Sequence, residues 1–187
     1  MAVREGGFEA STIDMEALKG CGFNQYEGVI ISGSPILLTQ TDYTEYLGWF
    51  NFIQSIDIPV LGICFGHQIV GLEFGARVFR GPEQRLNQAV EIVERDSLFR
   101  GMEKSLIIRE DHCEGITLPS NFDLLAKSNY YEVEAMKHKQ KNIFGLQFHP
   151  EVSGEVGKRI LDNFLELCRS DRPRHSLERS KVSGKNA

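Results

Sequence analysis

The stretch that decides the fold is Val60–Gln68, which reads VLGICFGHQ. An apolar, β-rich run ends here at a single cysteine, Cys64, with Gly62 and Gly66 two residues away on either side. Such a run fits a strand that is buried on both faces of a parallel sheet. A nucleophile on a strand-to-helix turn needs small neighbours, because the turn is tight and strained. The pattern therefore predicts a nucleophilic Cys64 at the start of a helix, whose dipole stabilises a thiolate.

Short β-rich runs and helical patterns alternate on either side of this stretch. Apolar residues at helical spacing predict helices over Tyr43–Ile56, Phe65–Phe74 and Gly157–Leu167. Early β/α alternation predicts an α/β fold with a doubly wound, mostly parallel sheet, and the crowded strands between 76 and 148 predict an antiparallel extension. The predicted strands are Phe8–Ile13, Tyr26–Ile31, Pro59–Cys64, Ala76–Arg80, Gln88–Val93, Leu106–Ile108, Phe122–Leu125, Glu132–Met136 and Ile143–Phe148.

Composition places the chain among ordinary globular proteins. It has 187 residues, 41% of them hydrophobic, and a formal net charge of -5. We expect one domain over 1–168 and a basic, disordered tail over 169–187. The acidic balance gives no electrostatic reason to bind nucleic acid or an anionic membrane, and no apolar run approaches the roughly 20 residues of a membrane span. No secretory leader is expected.

The four cysteines, at positions 21, 64, 113 and 168, follow no pairing or zinc-ligand pattern. We therefore expect free thiols in a reducing cytoplasm, with no metal and no cofactor.

A thiolate nucleophile needs a base, and the base needs a residue that orients it. His149 follows the predicted strand Ile143–Phe148, so it falls at the carboxyl end of a strand, as Cys64 does. Glu151 is two residues further on, and residues i and i+2 of an extended segment face the same side. The spacing predicts a triad in which Glu151 orients His149 and His149 faces Cys64.

Together, Gly62–Gln68 (GICFGHQ) and Gly145–Glu151 (GLQFHPE) resemble the class I glutamine amidotransferases over nearly the whole chain outside the tail. This resemblance implies a flavodoxin-like, three-layer αβα fold and cleavage of the glutamine side-chain amide through a cysteinyl thioester. It implies that Cys64 is the nucleophile, His149 the general acid/base and Glu151 its orienting residue.

The resemblance also implies which residues bind the substrate. Gln68 matches a residue that helps to hold glutamine, and the backbone N–H of Phe65 matches half of the oxyanion hole. The other half corresponds to Gly33 and Ser34, where serine is costly if that position needs a positive φ. His112, with Glu114 two residues later, matches a His-x-Asp segment near the synthetase contact. The glutamate departs from that pattern, and a solvated loop histidine remains an alternative for His112.

Three functions stay open. The segment Val133–Lys139 and the ending FHPEV resemble the stand-alone glutaminase subunit of GMP synthase, which implies an ATP-dependent synthetase partner. The loop Ile31–Pro35 also resembles that of free-standing γ-glutamyl peptidases, which need no partner. The third alternative is a non-catalytic relic, because Met1–Gly7 resembles the end of the family's first helix and the strand before it is missing. We expect such a chain to be only marginally stable.

Overall fold

The computed structural model describes residues 2–23 and 25–171. Its helices are α1 Ala2–Glu5, α2 Thr44–Phe50, α3 Phe65–Glu73 and α4 Gly154–Ser170, with 3-10 turns at Met15–Leu18, Asn51–Gln54, Ser97–Phe99 and Pro150–Val152. Its strands are β1 Val29–Ile31, β2 Val60–Ile63, β3 Val78–Gln84, β4 Asn87–Ile92, β5 Ser105–Arg109, β6 His112–Ile116, β7 Phe122–Lys127, β8 Ala135–His138 and β9 Ile143–Leu146.

Seven of the strands form one sheet in the order β1-β2-β9-β8-β7-β4-β5. Strands β1, β2 and β9 pair in parallel, and each later neighbour pairs antiparallel. Five of the seven strands therefore run in the same direction, which confirms the mostly parallel sheet with its antiparallel extension. Strands β3 and β6 form a separate two-stranded antiparallel sheet.

Helices cover both faces of the main sheet and bury a separate core on each. On one face, Ile160 and Phe164 of α4 pack with Phe144 of β9. On the other face, Phe50 of α2 and Ile69 of α3 belong to the second core. The three-layer αβα arrangement is therefore confirmed, and α4 buries the apolar stripe that its sequence pattern predicts.

The predicted strand Phe8–Ile13 is wrong, because this segment has no regular secondary structure. A strand requires a hydrogen-bonded neighbour, and β2 is the only described strand that pairs with β1. Cavities of about 560 and 540 Å³ border β1 and share Ser11, Tyr26 and Ile30 in their linings. The described strands leave no break inside the sheet, and the expected marginal stability stays a prediction.

Two further differences concern lengths and a missed strand. β1 begins at Val29, later than predicted, and β8 begins at Ala135 rather than Glu132. Strand β6 (HCEGI) was not predicted, because its polar residues give no apolar alternation; its partner is β3, outside the main sheet.

The predicted tail mostly lies outside the described residues, since only 169–171 belong to them and α4 continues to Ser170. In the described part, no helix is long and apolar enough to cross a bilayer.

The approach of α4 to the segment after β9 generates a stability prediction. A Cβ on Gly157 would lie 1.9 Å from the carbonyl oxygen of Pro150, whereas a Cβ on Gly48, within α2, would meet nothing within 4 Å. Alanine normally favours a helix over glycine by about 1 kcal/mol. Gly48→Ala should therefore raise the free energy of unfolding by up to about 1 kcal/mol. Gly157→Ala should instead lower it by about 1–3 kcal/mol, the usual cost of overpacking. Urea unfolding of both variants measures this, and a stabilised Gly157→Ala protein would contradict the packing.

Candidate active site

Cys64 occupies the turn between β2 and α3 with φ 50° and ψ -104°. Among the described residues it is the only one other than glycine with a positive φ. The flanking glycines have a steric cause. A Cβ on Gly62 would lie 2.4 Å from the carbonyl oxygen of Gly66, and a Cβ on Gly66 would lie 2.2 Å from that of Ile31. The turn thus presents the thiol in a strained conformation that the surrounding backbone enforces.

His149 comes immediately after the segment that continues β9. Its Nδ1 lies 2.7 Å from Oε1 of Glu151. Its Nε2 is buried and has no hydrogen-bond partner of good geometry among the described residues. The Cys64 side chain and then Glu151 raise the pKa of His149 to about 10, against the opposing effect of burial. The imidazolium form of His149 is therefore stabilised by the Cys64 side chain on one side and by Glu151 on the other.

The backbone around His149 fixes the position of its ring. Its N–H donates to the carbonyl of Arg109 at 2.9 Å, and its own carbonyl accepts from the Ser153 hydroxyl at 2.6 Å. A Cβ on Gly33 would lie 3.1 Å from Cε1 of His149 and 3.6 Å from Cβ of Cys64. Gly33, Cys64 and His149 therefore converge on one point, although they come from three separate parts of the chain.

These side chains open into a cavity of about 480 Å³, a size that suits a small molecule. The structure places most of the predicted substrate residues in its lining, together with a charged rim: Gly33, Ser34, Gln68, His112, Arg80, Glu83, Arg85 and Asp111. The Phe65 ring packs in the core, while its backbone N–H, at the first position of α3, has no acceptor within the helix. Ser34 does not have a positive φ, so serine carries no strain there.

Gln68 is held by protein groups in this structure. Its Nε2 lies 3.3 Å from the carbonyl oxygen of Glu114 and 3.3 Å from Oε1 of Gln147. The Nε2 of Gln147 in turn lies 3.8 Å from the sulfur of Cys64. Sequence reasoning missed Gln147, although it stands two residues before His149 and so shares its face of the chain.

His112 is buried, so the solvated alternative is wrong. Its Nδ1 lies 2.9 Å from the carbonyl oxygen of Glu114, and its Nε2 lies 3.0 Å from Oε2 of Glu110. Burial opposes the charged ring, but the Glu110 carboxylate, Glu134 and the Glu114 carbonyl together outweigh it and raise the pKa of His112. Because both nitrogens already face protein acceptors, neither is turned toward a substrate.

Glu114, which stands where the family pattern has an aspartate, makes contacts that support the cavity. Its buried carboxylate accepts from the backbone N–H groups of Leu38 and Thr39, at 2.9 and 2.8 Å, and from the Thr39 hydroxyl. These bonds tie β6 to the segment that follows the Gly33 loop. Glu114 therefore holds one wall of the cavity against another.

Comparisons with known proteins identify the family of the chain. The class I glutamine amidotransferase family matches residues 7–168. The chain is 40% identical over 147 residues to a glutamine-hydrolyzing GMP synthase subunit of Methanothermobacter thermautotrophicus, covering 77% of this chain and 76% of the relative.

Two solved structures show the same fold. One, from Thermoplasma acidophilum, has a TM-score of 0.79 at 28% identity and covers 95% of this chain and 88% of the other. A glutamine amidotransferase from Thermotoga maritima has a TM-score of 0.70 at 25% identity, with coverages of 96% and 81%. The family match spans most of the chain and includes the Cys64 turn and the His149 segment. The chain therefore belongs to the class I glutamine amidotransferases.

Proposed function

We propose that the protein hydrolyses the side-chain amide of glutamine through a thioester on Cys64 and supplies ammonia to an ATP-dependent synthetase that forms GMP. The observation that carries this proposal is the juxtaposition at the cavity. A strained cysteine faces a histidine whose other nitrogen is bonded to Glu151 at 2.7 Å. The name of the Methanothermobacter relative, a subunit of GMP synthase, supports the synthetase partner. Cytoplasmic location stays a prediction from the sequence.

The chemistry follows from the position of each group. The Cys64 thiolate attacks the amide carbonyl of glutamine, and the backbone N–H of Phe65 and the Gly33–Ser34 loop stabilise the oxyanion. His149 donates its proton to the departing nitrogen, which leaves as ammonia while the C–N bond breaks. A water molecule then gives a proton to His149 and attacks the thioester, which releases glutamate and restores the thiolate.

A matched assay separates the three functions. Glutamate release is measured from glutamine and from a γ-glutamyl dipeptide, each with and without an ATP-dependent GMP synthetase subunit. We expect glutamine to be the better substrate and the synthetase to raise its rate of hydrolysis. Partner-independent cleavage of the dipeptide would favour the peptidase alternative. Absence of a thioester with either substrate would favour the relic.

Cys64→Ala should abolish amide hydrolysis, because among the described cysteines only Cys64 lies on a strained turn facing a histidine. Cys64→Ser should be almost inactive, since a hydroxyl is far harder to ionise than a thiol. A glutamine-like electrophile should label Cys64 and spare Cys168, whose pKa burial raises to about 12. Peptide mass mapping measures the label, and modification mainly at another cysteine would refute the assignment.

His149→Ala should reduce kcat by about 10²–10⁴-fold, the usual worth of proton transfer. Glu151→Gln should cost less, because it keeps the shape and removes only charge and orientation. It should also shift the alkaline limb of kcat/KM to lower pH, since Glu151 is one of the groups that raise the pKa of His149 to about 10. The exposed Glu155→Gln serves as the control and should leave the profile unchanged. Equal losses at both positions would give Glu151 a direct chemical role.

A further inference from the structure

Three buried side chains, Glu110, His112 and Glu134, meet beside the active-site cavity, which His112 also lines. Each offers one ligand atom, and these atoms lie within 4.8 Å of one another. The exposed fractions of the residues are 0%, 8% and 1%. Glu110 and His112 flank the turn between β5 and β6, whereas Glu134 directly precedes β8. No other cluster of this kind occurs among the residues that the structure describes.

One oxygen of each carboxylate in this cluster lacks a partner. Oε1 of Glu110 and Oε2 of Glu134 are buried, and no hydrogen-bond donor among the described residues reaches either atom. Buried acceptors are almost always satisfied, so each of these unpaired oxygens requires an explanation. The unpaired oxygens of these two carboxylates are therefore candidate ligands for a cation.

The orientation of His112 fits a metal ligand. Its Nδ1 donates to the carbonyl of Glu114 at 2.9 Å, which leaves Nε2 turned toward Glu110, 3.0 Å away. Metal-binding histidines typically donate their second nitrogen to a carbonyl or carboxylate in this way. One imidazole and two carboxylates suit zinc and similar divalent transition metals, whereas magnesium prefers oxygen ligands alone.

We propose that Glu110, His112 and Glu134 bind a divalent transition-metal ion with a structural role. Two carboxylates and a neutral imidazole balance the charge of such an ion; when it binds, His112 releases its Nε2 proton and Glu134 releases its carboxyl proton. The site is closed to solvent and would take no part in amide hydrolysis. The ion would join the two-stranded β3–β6 sheet to the main sheet, and so hold the strand that carries Glu114.

The test uses the full chain with Cys64→Ala, so that zinc cannot bind the catalytic thiol. The protein is stripped with a chelator, incubated with Zn²⁺, desalted and analysed for bound metal. We expect one zinc ion per chain and a higher thermal midpoint. Glu134→Gln should weaken zinc affinity by about 100-fold or more, because loss of an outer partner alone costs 10–100-fold. Glu132→Gln alters an exposed carboxylate two residues away and should bind zinc normally.

X-ray absorption of the zinc-loaded Cys64→Ala protein provides a second measurement that does not require the Glu134→Gln variant to fold. The proposal requires a shell of nitrogen and oxygen ligands with one imidazole. A sulfur ligand would place the ion on another cysteine and overturn it. Failure of the chain to retain zinc, or equal affinity in Glu134→Gln, would also overturn it. In that case, the two carboxyl groups share a proton, as the pKa of about 8 that burial and Glu110 give to Glu134 allows.

Discussion

The close approach of three backbone segments around Cys64 is the constraint on which the site depends. The carbonyl of Ile31 in β1 lies where a side chain at Gly66 would have to start, and the carbonyl of Gly66 lies where one at Gly62 would start. Strands β1 and β2 and helix α3 can therefore meet only through glycine. Because the backbone is packed this closely, Cys64 keeps a positive φ that would otherwise relax.

The walls of the cavity are tied to this centre by buried polar contacts. The Glu114 carboxylate binds the backbone at Leu38 and Thr39, and the Glu114 carbonyl accepts from both Gln68 and His112. A single residue of β6 thus links the Gly33 loop, helix α3 and the buried carboxylate cluster. Networks of this kind are rigid when every member is satisfied. Among the described residues of this network, only the unpaired oxygens of Glu110 and Glu134 lack a partner, and the proposed ion would supply one.

The charges of the site divide into two layers. His149 lies between Cys64 and the partly exposed Glu151, where a proton can move to and from a bound substrate. His112 lies deeper, and its two nitrogens face the Glu110 carboxylate and the carbonyl of Glu114. Histidine therefore has a proposed chemical role at position 149 and a proposed supporting role at position 112. The two positions differ in solvent access, because the side chain of His112 is more deeply buried than that of His149.

The sequence by itself determined the class of fold, the strand-turn-helix at Cys64 and the pairing of His149 with Glu151. These features depend on neighbours within a few residues: apolar runs, glycines at fixed spacing, and the i, i+2 alternation of an extended segment. Only the tertiary structure decided that Phe8–Ile13 is not a strand, since a strand depends on a distant neighbour. It also decided the contacts of Gln147 and Glu114 and the meeting of Glu134 with Glu110, because these residues approach through strands that are far apart in the chain. Burial, and not residue type, distinguishes His112 from the solvated histidine that its sequence context allowed.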